Sequence, residues 1–376
     1  MSQVRVDTIV DANSGNTAQI NGMTPTAQSL QGFRNRIING DMRIDQRNNG
    51  ASVSTASGSS AYTLDRWTIE YAQTSKFTLQ QNAGSVTPPT GFTNYLGVTS
   101  SSAYSVGSGD YFLLEQRVEG FNSADLAWGT ASAATITVSF WVRSSLTGTF
   151  GGAIRNQAGT RSYPFSFTVS AANTWELETI TIPGDTSGTW LTNNSIGLRL
   201  TLSLGMGSTY TATAGAWATG NFLAPTGSVS VVGTNGATFY ITGVQLEAGS
   251  VATPFERRDY GRELAMCQRY LPAWKASASG DVFGSGYNAS PSIQRGSTPF
   301  QVTPRVVPTG ITISAAGDFV ASSNVNMVAT TVVFYGASPT NGFIQLAGAG
   351  GQTTGQGGFI YANNTNAQVL FTGCEL

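Results

Sequence analysis

Apolar residues recur at every second position through much of this chain. In "TITVSFWVR" they are Ile136, Val138, Phe140 and Val142, and in "SIGLRLTLSL" they are Ile196, Leu198, Leu200, Leu202 and Leu204. A period of two is what a strand buried on one face requires, because successive side chains point to opposite sides of a sheet. "DRWTIEY" continues the pattern with Trp67, Ile69 and Tyr71, and "YFLLEQRV" and "YPFSFTV" supply further strands. "TWELETITI" changes parity between Leu177 and Ile180, which predicts a β-bulge. Turn-forming clusters such as "TPPTG" and "PGDTSG" separate the runs. No helical period of useful length interrupts residues 33–255, so this region is expected to be an antiparallel, jelly-roll-like β-sandwich.

Composition narrows the chemistry. Charged residues make up 10% of the 376 residues, well below the usual share of about a quarter, with 19 Lys and Arg against 20 Asp and Glu. An aromatic content of 10% argues against disorder. The lack of positive excess argues against a nucleic-acid partner. So little surface charge favours association, and an oligomer is expected. The sequence has no histidine, which removes the usual general base and the commonest metal ligand. Cys267 and Cys374 are too far apart in sequence to suggest a metal site or a disulfide framework, and they suit a reducing compartment. No calcium-loop pattern is present, so neither a metal nor a cofactor is expected. The first residues hold no apolar signal core, and no run is long enough to cross a membrane.

Four regions follow from these patterns. Residues 1–32 form an N-terminal arm whose alternating "VRVDTIV" makes Val4, Val6 and Ile9 the candidate attachment residues. Residues 33–255 are the sandwich. Residues 256–275 are a short helical linker in which Tyr260, Leu264, Cys267 and Leu271 fall on one stripe that ends at Pro272. Residues 276–376 form a second, smaller β domain with short strands such as "TTVVFYG" and "GGFIYA". The fold class is therefore all-β with one helix.

Several residue groups are candidates for function. "GFRNRIINGDMRIDQRNNG" interleaves Arg34, Arg36, Arg43 and Arg47 with Asp41 and Asp45, which suits ion pairing and a subunit interface better than a polyanion. Its Ile37, Ile38, Met42 and Ile44 are expected to form the first sandwich strand. The helix stripe is expected to pack at a trimer axis or against the sandwich. Trp141 lies on the polar face of its strand beside Arg143, a pairing suited to stacking a sugar ring and binding its hydroxyls. A tryptophan covered by a loop or a neighbouring subunit fits the same pattern. Tyr287, Tyr335 and Tyr361, set among Gly and Asn, are candidates for a recognition surface. The acids Glu115, Glu119, Glu176 and Glu178 show no pairing of the kind that glycoside hydrolysis requires, so a non-enzymatic protein is expected.

The segments "RNRIINGDM", "LDRWTIEY", "LLEQRVEG", "TITVSFWVRSS", "WELETITIPGD" and "VQLEAGSVATPFERRDYGRELAMCQRYL" together resemble tail fibre and minor structural proteins of tailed bacteriophages. The opening "VRVDTIVDANSG" is similar to cyanophage members, and the middle region also resembles jelly-roll carbohydrate-binding modules. The resemblance implies a homotrimeric virion component, assembled in the host cytoplasm. Its arm would attach to tail or baseplate proteins, and its β domains would recognise host-surface polysaccharide or protein. The sequence lacks the heptad or collagen-like stalk of long fibres, which implies a short one. A head fibre or connector without a receptor, and a glycan-depolymerising tailspike, are the alternatives within this resemblance.

Overall fold

The computed structural model describes residues 33–55 and 60–376. The candidate attachment residues Val4, Val6 and Ile9 lie outside them. The protein is all-β with one α-helix among the described residues, and it divides into two compact units. The first contains residues 33–41, 54–55 and Glu70–Arg257; the second contains Met42–Val53, Ser60–Ile69 and Arg258–Leu376. This differs from a simple cut at residue 255 and leaves no separate linker, because the helix and two stretches from the beginning of the chain group with the C-terminal strands.

The first unit is the expected sandwich. Its longer strands are β1 (Phe77–Gln81), β2 (Leu96–Ser100), β3 (Tyr111–Glu119), β4 (Ile136–Ser144), β5 (Gly148–Arg155), β6 (Arg161–Val169), β7 (Glu176–Ile182), β8 (Ile196–Met206) and β9 (Thr238–Ala248). One sheet runs β1-β2-β9-β4-β7 and the other β6-β5-β8-β3. The alternating residues Ile136, Val138, Phe140 and Val142 are fully buried, and Leu198, Leu200 and Leu202 nearly so. Rings interlock the two sheets: Phe140 packs edge-on to Phe167 at 5.1 Å, and Phe150 stacks with Phe239 at 5.8 Å. Such contacts add about 0.5–1.5 kcal/mol each beyond burial.

Two local expectations are corrected. No bulge interrupts β7, which pairs with β4 in unbroken register from Glu176 opposite Val142 to Ile182 opposite Ile136. Leu177 instead stays on the outer face beside Trp141, 56% exposed. A register shift does occur in β9 between Thr242 and Gln245, where Gly243 has φ +61°. Residues 33–52 also form no strand. Ile37, Ile38, Met42 and Ile44 are buried, but the polypeptide reaches them through turns with positive φ at Asn39 and Met42. Side-chain amides take the place of a β-ladder. The Ile38 N–H donates to Gln116 Oε1 at 2.8 Å, Gln116 Nε2 donates to the Ile38 carbonyl at 2.9 Å, and Asn35 Oδ1 accepts from the N–H groups of Ile37 and Leu246. These bonds satisfy buried backbone groups that would otherwise be costly.

In the second unit, α1 (Tyr260–Gln268) starts at Asp259, whose carboxylate accepts from the Arg262 N–H at 2.9 Å. The following strands are β10 (Ala273–Lys275), β11 (Val282–Ser290), β12 (Ile293–Pro299), β13 (Gly310–Ile313), β14 (Phe319–Ser322), β15 (Asn326–Ala337), β16 (Asn341–Gly348), β17 (Gly357–Ala362) and β18 (Gln368–Thr372). A closed barrel runs β11-β12-β16-β15-β14-β17, and a small sheet runs β10-β18-β13. The expected helix stripe is rotated. Cys267 and Leu271 are buried, Leu264 is half-buried and Tyr260 is 55% exposed. Glu263 is drawn inward and held by Arg258 at 3.2 Å. Both cysteines are free and buried.

The mixed-sign cluster forms intramolecular pairs within each unit. Arg36 meets Asp125 at 2.5 Å in the first, and Arg47 meets Glu375 at 2.7 Å in the second.

Candidate functional site

Charged residues at alternate positions of otherwise apolar strands meet on the outer face of the β6-β5-β8-β3 sheet. Glu115 and Arg117 come from β3, Arg199 and Thr201 from β8, and Arg155 from β5. Glu115 has no exposed surface and binds three guanidiniums: Arg155 at 2.5 Å, Arg117 at 2.8 Å and Arg199 at 2.9 Å. Thr201 Oγ1 donates to it at 3.2 Å, and Glu70 binds Arg117 at 2.6 Å. Burial alone would push the Glu115 carboxyl up. The three arginines outweigh that effect and hold it below the usual range.

The segment between β8 and β9 folds over this network. Its two-residue strands Thr211–Ala212 and Ala224–Pro225 pair in parallel, and Asn221 Oδ1 accepts from Arg155 at 2.7 Å. A pocket of about 190 Å³ results, lined by Glu70, Tyr111, Arg155, Tyr210, Asn221 and Leu223. The Tyr111 and Tyr210 rings meet edge to face at 5.5 Å, and both are half-buried. Aromatic surface beside an amide, a carboxylate and a guanidinium suits a polyhydroxylated ligand: C–H faces stack on rings while planar polar groups bind hydroxyls. Glu70 is the carboxylate that lines the pocket, since Glu115 is sealed beneath the arginines.

The residues singled out from sequence lie elsewhere. Trp141 is on the outer face of the other sheet, as its parity implied, and is half-buried. Phe92 and Trp141 both crowd the point where a side chain on Gly243 would begin, at 2.6 and 3.2 Å. Arg257 lies over Phe92 at 4.7 Å. Arg143 donates to the Asn173 carbonyl at 3.0 Å and lies over Tyr240 at 5.6 Å. A loop carbonyl thus engages Arg143, and Phe92 lies near Trp141. Glu176 is tied to the N–H groups of Ser170 and Ala171, which keep its carboxyl low, whereas burial raises Glu178.

On the barrel, Tyr287 pairs with Arg295, whose guanidinium lies over Tyr335 at 4.3 Å. Tyr287 is 49% exposed and Tyr335 54%. Tyr361 sits opposite Val282, at the start of β11, whereas Tyr287 lies further along the strand opposite Gly357. Sequence reasoning missed Tyr111, Tyr210, Asn221 and Arg155. The available signal was the spacing of Glu115, Arg117, Arg155 and Arg199 within apolar runs of a chain so poor in charge.

No family model matches the sequence, and no curated protein matches it. Among solved structures, the fold is similar to the enzymatically active domain of tailspike protein 4 from bacteriophage CBA120. That alignment has a TM-score of 0.32 and 11% identity, covering 58% of this chain and 22% of the tailspike. The fold is also similar to a putative sugar binding protein from Bacteroides thetaiotaomicron, with a TM-score of 0.34 and 13% identity, covering 57% of this chain and all of the other. TmCBM61 in complex with β-1,4-galactotriose aligns with a TM-score of 0.29 and 12% identity, covering 57% of this chain and 99% of that module. This chain thus spans about a fifth of the tailspike's length. Scores this far below 0.5 carry neither ligand nor activity across to it.

Proposed function

We propose that this chain is a non-enzymatic, glycan-recognising subunit of a short phage tail fibre, binding host polysaccharide at the Tyr111–Tyr210 pocket. The observation that carries glycan recognition is the composition of that pocket: two half-buried rings with an amide and charged groups fixed over a rigid sheet. Glycoside hydrolysis by the usual route needs two carboxylates flanking the sugar bond. Glu70 is the carboxylate among the lining residues, and Glu115 is sealed beneath the arginines. Placement in a virion is supported by the sequence resemblance to tailed-phage fibres. A homotrimer fits the low surface charge, and repetition of a weak site over trimer and virion would raise avidity.

The test is affinity electrophoresis of the full chain in host-polysaccharide gels. Retardation is expected, reduced about tenfold in Tyr111→Ala and Tyr210→Ala, the equivalent of roughly 1.4 kcal/mol. Release of reducing sugars would overturn the non-enzymatic reading, and a sedimentation mass of one chain would overturn the trimer.

A further inference from the structure

The second unit contains the larger cavity, about 370 Å³, within the range of roughly 300–1,000 Å³ usual for small-ligand sites. Its lining is rich in side-chain amides: Gln46, Gln268, Gln301 and Gln368, with Trp274 as the largest aromatic surface. The amides are mutually ordered. Gln46 donates to Asp65 at 2.6 Å, Gln268 donates to Gln46 Oε1 at 3.3 Å, and Gln368 donates to the Gln46 carbonyl. Trp274 Nε1 donates to the Pro299 carbonyl at 3.0 Å, so what the indole offers the cavity is apolar ring surface. Gln301 is exposed and has no intramolecular side-chain partner among the described residues.

The charge at this site is balanced. Lys275 binds Asn49 Oδ1 at 2.6 Å, and the Asp45 carboxylate accepts from the N–H groups of Asn48 and Gly50 at 2.8 and 2.7 Å. One cation and one anion, each already engaged, give no excess of either sign to attract a charged ligand. The exposed Gln301 carboxamide presents a donor and an acceptor in one plane, which matches a pair of neighbouring hydroxyls, while Gln268 and Gln368, whose Nε2 groups are engaged, offer their Oε1 atoms as acceptors.

We propose that this cavity is a second ligand site, specific for a short neutral oligosaccharide whose ring stacks on Trp274 while the glutamine amides bind its hydroxyls. This assignment rests on the reading of the chain as a glycan binder. It names the class that the second unit would select, which the Arg- and Glu-lined pocket of the first unit does not share.

The experiment probes the full chain on an array of neutral and acidic oligosaccharides, beside Gln301→Ala, Trp274→Ala and Tyr111→Ala. The expected result is a set of neutral glycans whose signal falls about tenfold in Gln301→Ala and Trp274→Ala but survives in Tyr111→Ala. Gln301 is exposed, so its variant keeps the test valid even where Trp274→Ala unfolds. Glycan signal abolished by Tyr111→Ala and unchanged by Gln301→Ala overturns this site and leaves the first standing. Acidic glycans lost on Gln301→Ala, with neutral ones silent, overturn the class. A silent array overturns both readings. A fall in sedimentation mass for Gln301→Ala assigns the cavity to contact between copies and overturns it as well.

Discussion

The two units each bury a carboxylate, and the two groups respond to burial in opposite ways. Glu115 in the sandwich is 0% exposed and Asp65 in the second unit 1%. Burial pushes both upward. Around Glu115 the guanidiniums of Arg155, Arg199 and Arg117 reverse the push. Around Asp65 burial prevails over the pull of Arg47 and the hydrogen bond from Gln46, and the carboxyl rises to about 7. The lesson concerns the number of counter-charges. Three arginines within hydrogen-bond reach outweigh the desolvation cost for Glu115, and the pull on Asp65 does not.

The strongest way to break this contrast is Glu115→Gln. It leaves three guanidiniums facing a neutral amide, Arg155 among them at 5% exposure. Removing one partner of a buried charge cluster costs roughly 3–5 kcal/mol. Urea unfolding at pH 7 is expected to show a loss of that size, and a loss under about 1 kcal/mol would mean the network is already well solvated.

Asp65→Asn comes next and has a pH signature. A carboxyl raised in the folded state binds a proton that the unfolded chain has released. Its stabilising contribution is therefore full below the unfolded value near 4 and disappears as the pH rises through about 7. A rise from 3.8 to about 7 corresponds to roughly 4 kcal/mol at most. The wild-type thermal midpoint should fall between about pH 4 and 7 and level off above, and Asp65→Asn should flatten that fall. Glu115 contributes the opposite arm: its stabilisation is present above the unfolded value of about 4.3 and is lost as the pH drops through its depressed folded value. A midpoint in Asp65→Asn that still falls in parallel with wild type would remove Asp65 as the cause.

The sequence made the sandwich legible because each strand declares its own inward face. Ile136, Val138, Phe140 and Val142 need only a period of two to be placed, and all are buried. The segment from Phe33 to Ser52 was not legible, because its Ile37 and Ile38 are buried in turns held by the side chain of Asn35 within the segment and by that of Gln116 from far along the chain. The pocket was hidden for a related reason. Glu115 meets Arg155 and Arg199 only once β5, β8 and β3 lie side by side, and Tyr210 and Asn221 come from an excursion with no period to read. Trp141 shows the intermediate case. Its face follows from parity, but the close approach of Phe92 needs the missing side chain of Gly243, which nothing in the alternation of the strand announces.

The smallest expected effect sharpens the contrast between sealed and open charge. Arg295 stands on the barrel wall, half-buried, with its guanidinium over Tyr335 and its Nε donating to Gln345 Oε1 at 2.9 Å. It pairs a cation with a ring rather than with a carboxylate, and solvent reaches both Tyr335 and Tyr287. A cation–π contact at such a site is worth about 0.5–1 kcal/mol, and losing Arg295 leaves no buried charge behind. Arg295→Ala should therefore lower stability by less than about 1 kcal/mol, several-fold less than Glu115→Gln. Urea unfolding of the two variants side by side measures the ratio. Equal losses would show that the barrel wall relies on Arg295 as heavily as the sandwich relies on Glu115, and the distinction between the units would then rest on their carboxylates alone.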